Sequence, residues 1–338
     1  KYGDDRLTEI QDVEDEIDIE DLIEEEACCY TLSSLGYIKR LPTSTYRAQK
    51  RGGRGVTAQT LKEEDYVKRL FVASTHDYLL FFSNTGKVHR RKGYRIPEAG
   101  RTARGTAIVN VLPLEPGETI TAMLPTKDME EGYLMMVTRM GTVKRLELSS
   151  LNTNRKAGIR AISLDEGDEL IAVFRTTGSD RVVLATEQGM SILFAEEDVR
   201  PMGRDAAGVR GIRLDEGDRV IGAVVVEEGK DLLTVTRNGF GKRTPFSAYL
   251  RDGEPQSRGG KGLKNNTINE KTGRVAGILA VSDSDDVMLI ESSGVIIRMA
   301  ASEINTYGRG AQGVILMRVD EGERVIALQS AEQEDGEE

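Results

Sequence analysis

The residues best suited to chemistry are bases and glycines crowded into one short run, Gln49-Lys50-Arg51-Gly52-Gly53-Arg54-Gly55. Glycines let backbone N–H groups approach an anion closely, and arginine adds a planar fork of donors, so the run reads as a phosphate receptor. Weaker relatives follow at Ala103-Arg104-Gly105, Ala157-Gly158-Ile159-Arg160, Gly208-Val209-Arg210-Gly211, Ser257-Arg258-Gly259-Gly260-Lys261-Gly262 and Gly308-Arg309-Gly310-Ala311-Gln312-Gly313. The last is formally G-x-G-x-x-G, but it leads into the strand-like Val314-Ile315-Leu316-Met317 where a dinucleotide site needs a helix. No G-x-x-x-x-G-K-[ST] occurs, so an ATP site of that type is not expected. His76 and His89 are the only histidines and have no Cys or carboxylate at metal-ligand spacing. Cys28 and Cys29 are adjacent; on a strand they point to opposite faces, and they read as small strand residues in a reducing compartment.

The elements that carry these loops repeat. An apolar strand, a short turn closing on glycine and a second strand, usually basic, recur six times, with turn glycines at 36, 86, 141, 189, 239 and 294. The spacings of 50, 55, 48, 50 and 55 make each copy about the length of a propeller blade. Glycine in a three- or four-residue hairpin loop supplies a positive φ, so each copy is expected to be a β-hairpin. A second element repeats in phase: Asp165-Glu166-Gly167-Asp168, Asp215-Glu216-Gly217-Asp218 and Asp320-Glu321-Gly322-Glu323, with Glu115-Pro116-Gly117-Glu118 as a variant. Each precedes an apolar strand and reads as an acidic surface turn; EF-hand spacing is missing. Four short strands per copy and six copies predict an all-β, six-bladed β-propeller, whose closure into a ring removes exposed sheet edges. The fourth hairpin departs, carrying Met190, Ser191, Ile192, Leu193 and Phe194 where others place bases; Arg200, Arg204 and Arg210 are left to compensate.

The net charge of −10 hides two opposed parts. Residues 1–26 carry 13 acids and 2 bases, and residues 332–338 carry 5 acids and no base. The body, 27–331, holds 44 bases against 38 acids. A mildly basic body flanked by acidic arms is a nucleic-acid-binding balance. The three parts are expected to be an acidic N-terminal linker, the propeller, and an acidic disordered tail able to compete for the basic surface. No stretch approaches 18 consecutive apolar residues and no apolar leader is evident, so neither a membrane span nor a signal peptide is expected. A start at Lys1 suggests a piece of a longer polypeptide.

The run Gln49–Gly55 resembles the Q-[RK]-R-G-G-[RK]-G box of the gyrase A family of bacterial type IIA topoisomerases, and Tyr2-Gly3-Asp4-Asp5-Arg6-Leu7-Thr8-Glu9-Ile10 is similar to the junction leaving that family's breakage-reunion core. With six in-phase repeats, the resemblance extends from about residue 2 to residue 329. It implies a C-terminal DNA-wrapping domain of β-pinwheel type, in which blades exchange strands. It also implies non-specific binding and bending of double-stranded DNA around a basic rim, which presents a segment for strand passage and so introduces negative supercoils. Gyrase B and the rest of gyrase A would be partners in a heterotetrameric, ATP-dependent enzyme of the bacterial cytoplasm, the fragment itself being monomeric. The catalytic tyrosine, magnesium and ATP sites would lie elsewhere, so no cofactor and no catalytic residue are expected here.

Besides Gln49, Lys50, Arg51, Gly52, Gly53, Arg54 and Gly55, the expected DNA-binding rim is Lys39, Arg40, Arg90, Arg91, Lys92, Arg104, Lys144, Arg145, Arg160, Arg210, Lys242, Arg243, Arg258, Lys261, Arg298 and Arg309. Two alternatives stand beside this reading. The topoisomerase IV counterpart shares the fold but has a degraded box, against which the intact Gln49–Gly55 argues. Propeller interaction platforms of the WD40 and kelch kinds rely on tryptophan-containing signatures, and this chain has no Trp.

Overall fold

A computed structural model of the chain describes residues 19–43, 65, 67–100, 102–153, 155, 157–293 and 295–332. Its regular structure is six repeats of strand, with only short 3-10 turns between. The first repeat contributes β1 (Ala27–Ser33), β2 (Tyr37–Pro42) and β3 (Val67–Ser74). The second has β4 (Tyr78–Ser83), β5 (Lys87–Lys92), β6 (Thr106–Ala107) and β7 (Ile120–Thr126). The third has β8 (Tyr133–Thr138), β9 (Thr142–Glu147), β10 (Ile159–Arg160) and β11 (Leu170–Thr176). The fourth has β12 (Arg181–Thr186), β13 (Met190–Ala195), β14 (Val209–Arg210) and β15 (Val220–Val225). The fifth has β16 (Asp231–Thr236), β17 (Phe240–Pro245), β18 (Leu263–Lys264) and β19 (Val275–Val281). The sixth has β20 (Asp285–Glu291), β21 (Ile296–Ala300), β22 (Val314–Ile315) and β23 (Val325–Glu332).

The sheets do not coincide with the repeats. Their orders are β3-β1-β2-β6, β10-β5-β4-β7, β11-β8-β9-β14, β15-β12-β13-β18, β19-β16-β17-β22 and β21-β20-β23. Each two-residue strand therefore leaves its own repeat and pairs with the hairpin before it, so neighbouring blades are stitched by exchanged strands. The six blades form the ring of a six-bladed β-propeller. The last strands, β7, β11, β15, β19 and β23, touch one another in order and line the axis. The exchanged strands lie on the opposite, perimeter edge of the five four-stranded sheets.

Blade stacking explains the apolar hairpins. A strand covered on both faces reads as a continuous apolar run, with alternate residues serving opposite neighbours. Leu79 and Phe81 of β4 pack with Tyr30 and Ile38 of the first blade, whereas Leu80 and Phe82 pack with Leu134 and Met136 of the third. Met135 and Val137 pack with Val182 and Leu184; Val183 and Ala185 pack with Leu232. Leu233 and Val235 complete the series against Val287 and Leu289. Cys28 and Cys29 are buried free thiols on β1.

The five turn glycines among the described residues behave as their spacing predicts, and Gly294 lies outside the described residues. Gly239 has φ +80°, and a Cβ there would lie 1.9 Å from the Met317 carbonyl oxygen. The acidic turns also fold as turns, but their last acid reaches a neighbouring hairpin: Asp168 accepts from Met140 N–H at 3.0 Å, and Asp218 from Gln188 N–H at 3.0 Å. Among the described residues no helix is long and apolar enough to cross a membrane.

Candidate nucleic-acid interface

The heptapeptide Gln49–Gly55 lies outside the described residues. The remaining sixteen bases divide by strand position. Three residues past each turn glycine stand Lys39, His89, Lys144, Ile192, Lys242 and Ile297; one residue further stand Arg40, Arg90, Arg145, Leu193, Arg243 and Arg298. Both positions fall on the hairpin's second strand, which adjacent blades largely cover in the first five repeats; in the sixth, Ile296 and Arg298 are exposed. The expectation that Lys39, Lys144 and Lys242 face the rim is therefore corrected: all three are buried.

Each lysine ammonium donates instead to main-chain carbonyls of the inter-blade loops. Lys39 Nζ reaches Gly100 O at 3.1 Å and Ala103 O at 3.0 Å. Lys144 Nζ donates to Ala161, Arg204 and Ala206 carbonyls at 2.7, 2.7 and 2.9 Å. Lys242 Nζ donates to Asn265 O at 2.8 Å, Gly308 O at 3.0 Å and Arg309 O. An ammonium has three donors and no acceptor, so three carbonyls satisfy it without an anion. Burial lowers the pKa of Lys144 and of Lys242 to about 8, and that of Lys39 below the usual lysine range. These lysines are staples that hold the arginine-bearing loops.

Arg145 and Arg243 are also buried, a second correction. Arg145 stacks over Tyr133 and donates to Gly178 O; Arg243 bonds Ala301 O and pairs with Asp231 at 3.0 Å and Asp283 at 2.5 Å. Arg40 is half-buried, donating to Ile96 O at 2.9 Å and pairing with Glu98 at 3.1 Å. Arg90, Arg91 and Lys92 are half-buried in the second blade. Arg90 and Lys92 flank the Tyr78 ring, and Lys92 pairs with Glu20 at 2.8 Å.

The bases that do reach the outside belong mainly to the exchanged strands and their approaches. Arg104, Arg160, Arg210 and Lys261 are exposed, as is Arg298, which pairs with Asp286 at 2.6 Å. Arg104 lies over Tyr37, 5.1 Å from the ring centre. Arg160 sits 3.9 Å from Asp205 with a side chain 61% exposed, and Lys261 2.6 Å from Asp215. Such exposed pairs in high dielectric are weak and can exchange their carboxylate for a phosphate. Arg258 and Arg309 are partly exposed, and they join successive loops: Arg258 Nη1 donates to Arg210 O at 3.1 Å and Arg309 Nη1 to Lys264 O at 3.1 Å.

Lys264 is missing from the rim expected on sequence. It is exposed, and its pairing with Met190 matches that of Arg160 with Lys87 and Arg210 with Thr142. The signal is legible as a phase: Gly158-Ile159-Arg160, Gly208-Val209-Arg210 and Gly262-Leu263-Lys264 all read glycine, apolar, base. Strand exchange also resolves the base-poor fourth hairpin. Its perimeter strand is β18, so the fifth repeat brings Arg258, Lys261 and Lys264 to the fourth blade. A second pairing invisible to local spacing is buried His89 Nε2, 3.0 Å from Glu118 Oε1 across 29 residues. Burial raises the Glu118 pKa, but bonds from Glu115 N–H, His89 and Ser83 outweigh it and hold the carboxyl below its usual range. Among the described residues no three potential metal ligands converge.

Six segments, 30–74, 77–127, 132–177, 180–227, 230–282 and 285–332, match the family described as DNA gyrase C-terminal domain, beta-propeller. The chain belongs to that family. The DNA gyrase A protein of Clostridium acetobutylicum is 46% identical over 338 residues, covering 100% of this chain and 40% of that protein. That of Escherichia coli strain K12 is 46% identical over 330 residues, covering 97% of this chain and 37% of the relative. The chain thus spans about two fifths of the length of these relatives. Among solved structures, the C-terminal domain of DNA topoisomerase IV aligns with TM-score 0.80 at 26% identity, covering 93% of this chain and 96% of that one. A DNA gyrase A C-terminal domain aligns with TM-score 0.71 at 27% identity, covering 90% and 99%. The fold is therefore common to both branches.

Proposed function

We propose that this chain binds double-stranded DNA without sequence preference and bends it around the propeller perimeter. Within a larger gyrase, with gyrase B and the remainder of gyrase A, that bend would present a segment for strand passage and so favour negative supercoils. The observation that carries the reading is the row of exposed bases on exchanged strands and loops, Arg104, Arg160, Arg210 and Lys264, one on each of four successive blades. Spreading matters energetically. With a persistence length of ~150 bp, a half-turn over ~40 bp costs on the order of 10 kcal/mol, more than one loop can offset. Contacts distributed over several blades supply the attraction along the whole arc. Phosphate contacts carry no base information, so binding should be sequence-tolerant. Fluorescence transfer between the ends of a short duplex tests the reading: transfer should rise on binding, and binding without any change in end-to-end distance would refute bending.

A further inference from the structure

The axis carries a second cluster of arginines, distinct from the perimeter. At one mouth, the hairpin turns present Arg139, Glu187 and Arg237, and the residues leading into the inner strands present Arg219, Arg274 and Arg324. All but Arg274 line a cavity of about 300 Å³ between the third and sixth blades, floored by valines and isoleucines of the inner strands. Glu187, with a side chain only 2% exposed, is gripped by three guanidiniums. Arg219 meets both its oxygens at 3.1 Å, Arg274 donates at 3.2 Å, and Arg237 donates as well. Burial pushes the Glu187 carboxyl up, but these arginines outweigh it and hold it below the usual carboxylate range. Arg139 pairs with Glu169, and exposed Arg324 has no ion pair among the described residues. The other nearby acids are engaged: Asp168 and Asp218 accept turn amides, and Glu323 accepts from the Ser292 hydroxyl.

Four guanidiniums, those of Arg139, Arg219, Arg237 and Arg324, thus line one concavity with a single lining carboxylate, Glu187, between them. Converging like charges repel, and each arginine held by Glu187 keeps unused donors. We propose that this axial mouth binds a small polyphosphate anion, either inorganic or the phosphate chain of a nucleotide. A chain of two or three phosphates suits the size of the concavity, and arginine forks suit its oxygens. A DNA duplex is too wide to enter, so the site and the perimeter are separable.

Isothermal titration of the 338-residue chain with inorganic triphosphate, and separately with a nucleoside triphosphate, tests the proposal. One saturable site is expected, and the ligand should raise the Tm by mass action. Arg324→Glu, an exposed substitution, and Arg237→Gln should each weaken binding about tenfold or more. Arg181→Gln, at the far end of β12, should leave it unchanged. Equal affinity for both ligands would assign the phosphate chain alone as the determinant; tighter nucleotide binding would add a base or sugar contact. No saturable binding, several equivalent weak sites, or undiminished binding by a folded Arg324→Glu chain would overturn the proposal. Because neither ligand is DNA, these outcomes are independent of whether the perimeter bends a duplex.

Discussion

Replacing Lys144 by methionine tests whether the buried lysines are loop staples. Methionine keeps the length of the side chain and removes the ammonium, and the fourth blade already buries Ile192 at the equivalent position. The substitution deletes three bonds of 2.7, 2.7 and 2.9 Å. Hydrogen bonds to a charged group contribute about 1.5–3 kcal/mol each, and the low end applies because the Arg204 and Ala206 carbonyls are close enough to solvent to regain water. Relief from burying an ammonium offsets part of the remainder. We expect a loss of about 3 kcal/mol in urea unfolding, together with faster amide exchange across residues 203–210. A loss below about 0.5 kcal/mol with unchanged exchange would refute the staple.

Three further outcomes follow from the same structure. Lys144 and Lys242 titrate near 8 when folded and near 10.5 when unfolded, so between those values the unfolded chain binds more protons and their contribution to stability rises with pH. Thermal melts should show wild type gaining on a Lys144→Met/Lys242→Met chain from pH 8 to 10; a gap that narrows would contradict the assignment. Above pH 10 the absolute stability of both chains should fall, because burial raises the pKa of Tyr30 and Tyr249 and each folded chain then retains protons that its unfolded form sheds. Gly239→Ala, with a positive φ and a Cβ driven onto the Met317 carbonyl, should cost at least about 2 kcal/mol in chemical denaturation, and a neutral result would count against the turn geometry. Arg51→Ala/Arg54→Ala should reduce duplex bending more than affinity, since bases elsewhere still hold DNA; equal losses would make the heptapeptide one contact among many.

Much of the architecture is legible because the backbone demands it. Glycine at 36, 86, 141, 189 and 239 adopts a positive φ in every described hairpin turn, and its spacing carries blade count and length. Which bases are accessible is less legible. Lys39-Arg40, Lys144-Arg145 and Lys242-Arg243 look the same in sequence whether a strand faces water or lies between two blades. Only the stacking decides. The exchange of β6, β10, β14, β18 and β22 also moves each arginine loop one blade back from its own hairpin, a displacement that no local pattern encodes. Lys264 follows from the glycine–apolar–base phase; the His89–Glu118 pair does not, because the fold alone brings the two together.

The salt dependence of DNA affinity tests the perimeter track most directly, because each phosphate neutralised releases counterions. With about eight phosphates contacted by the exposed bases, log affinity against log salt should fall with a slope of roughly −7. A slope shallower than about −3 would mean two or three contacts, and DNA could not then be held around the propeller.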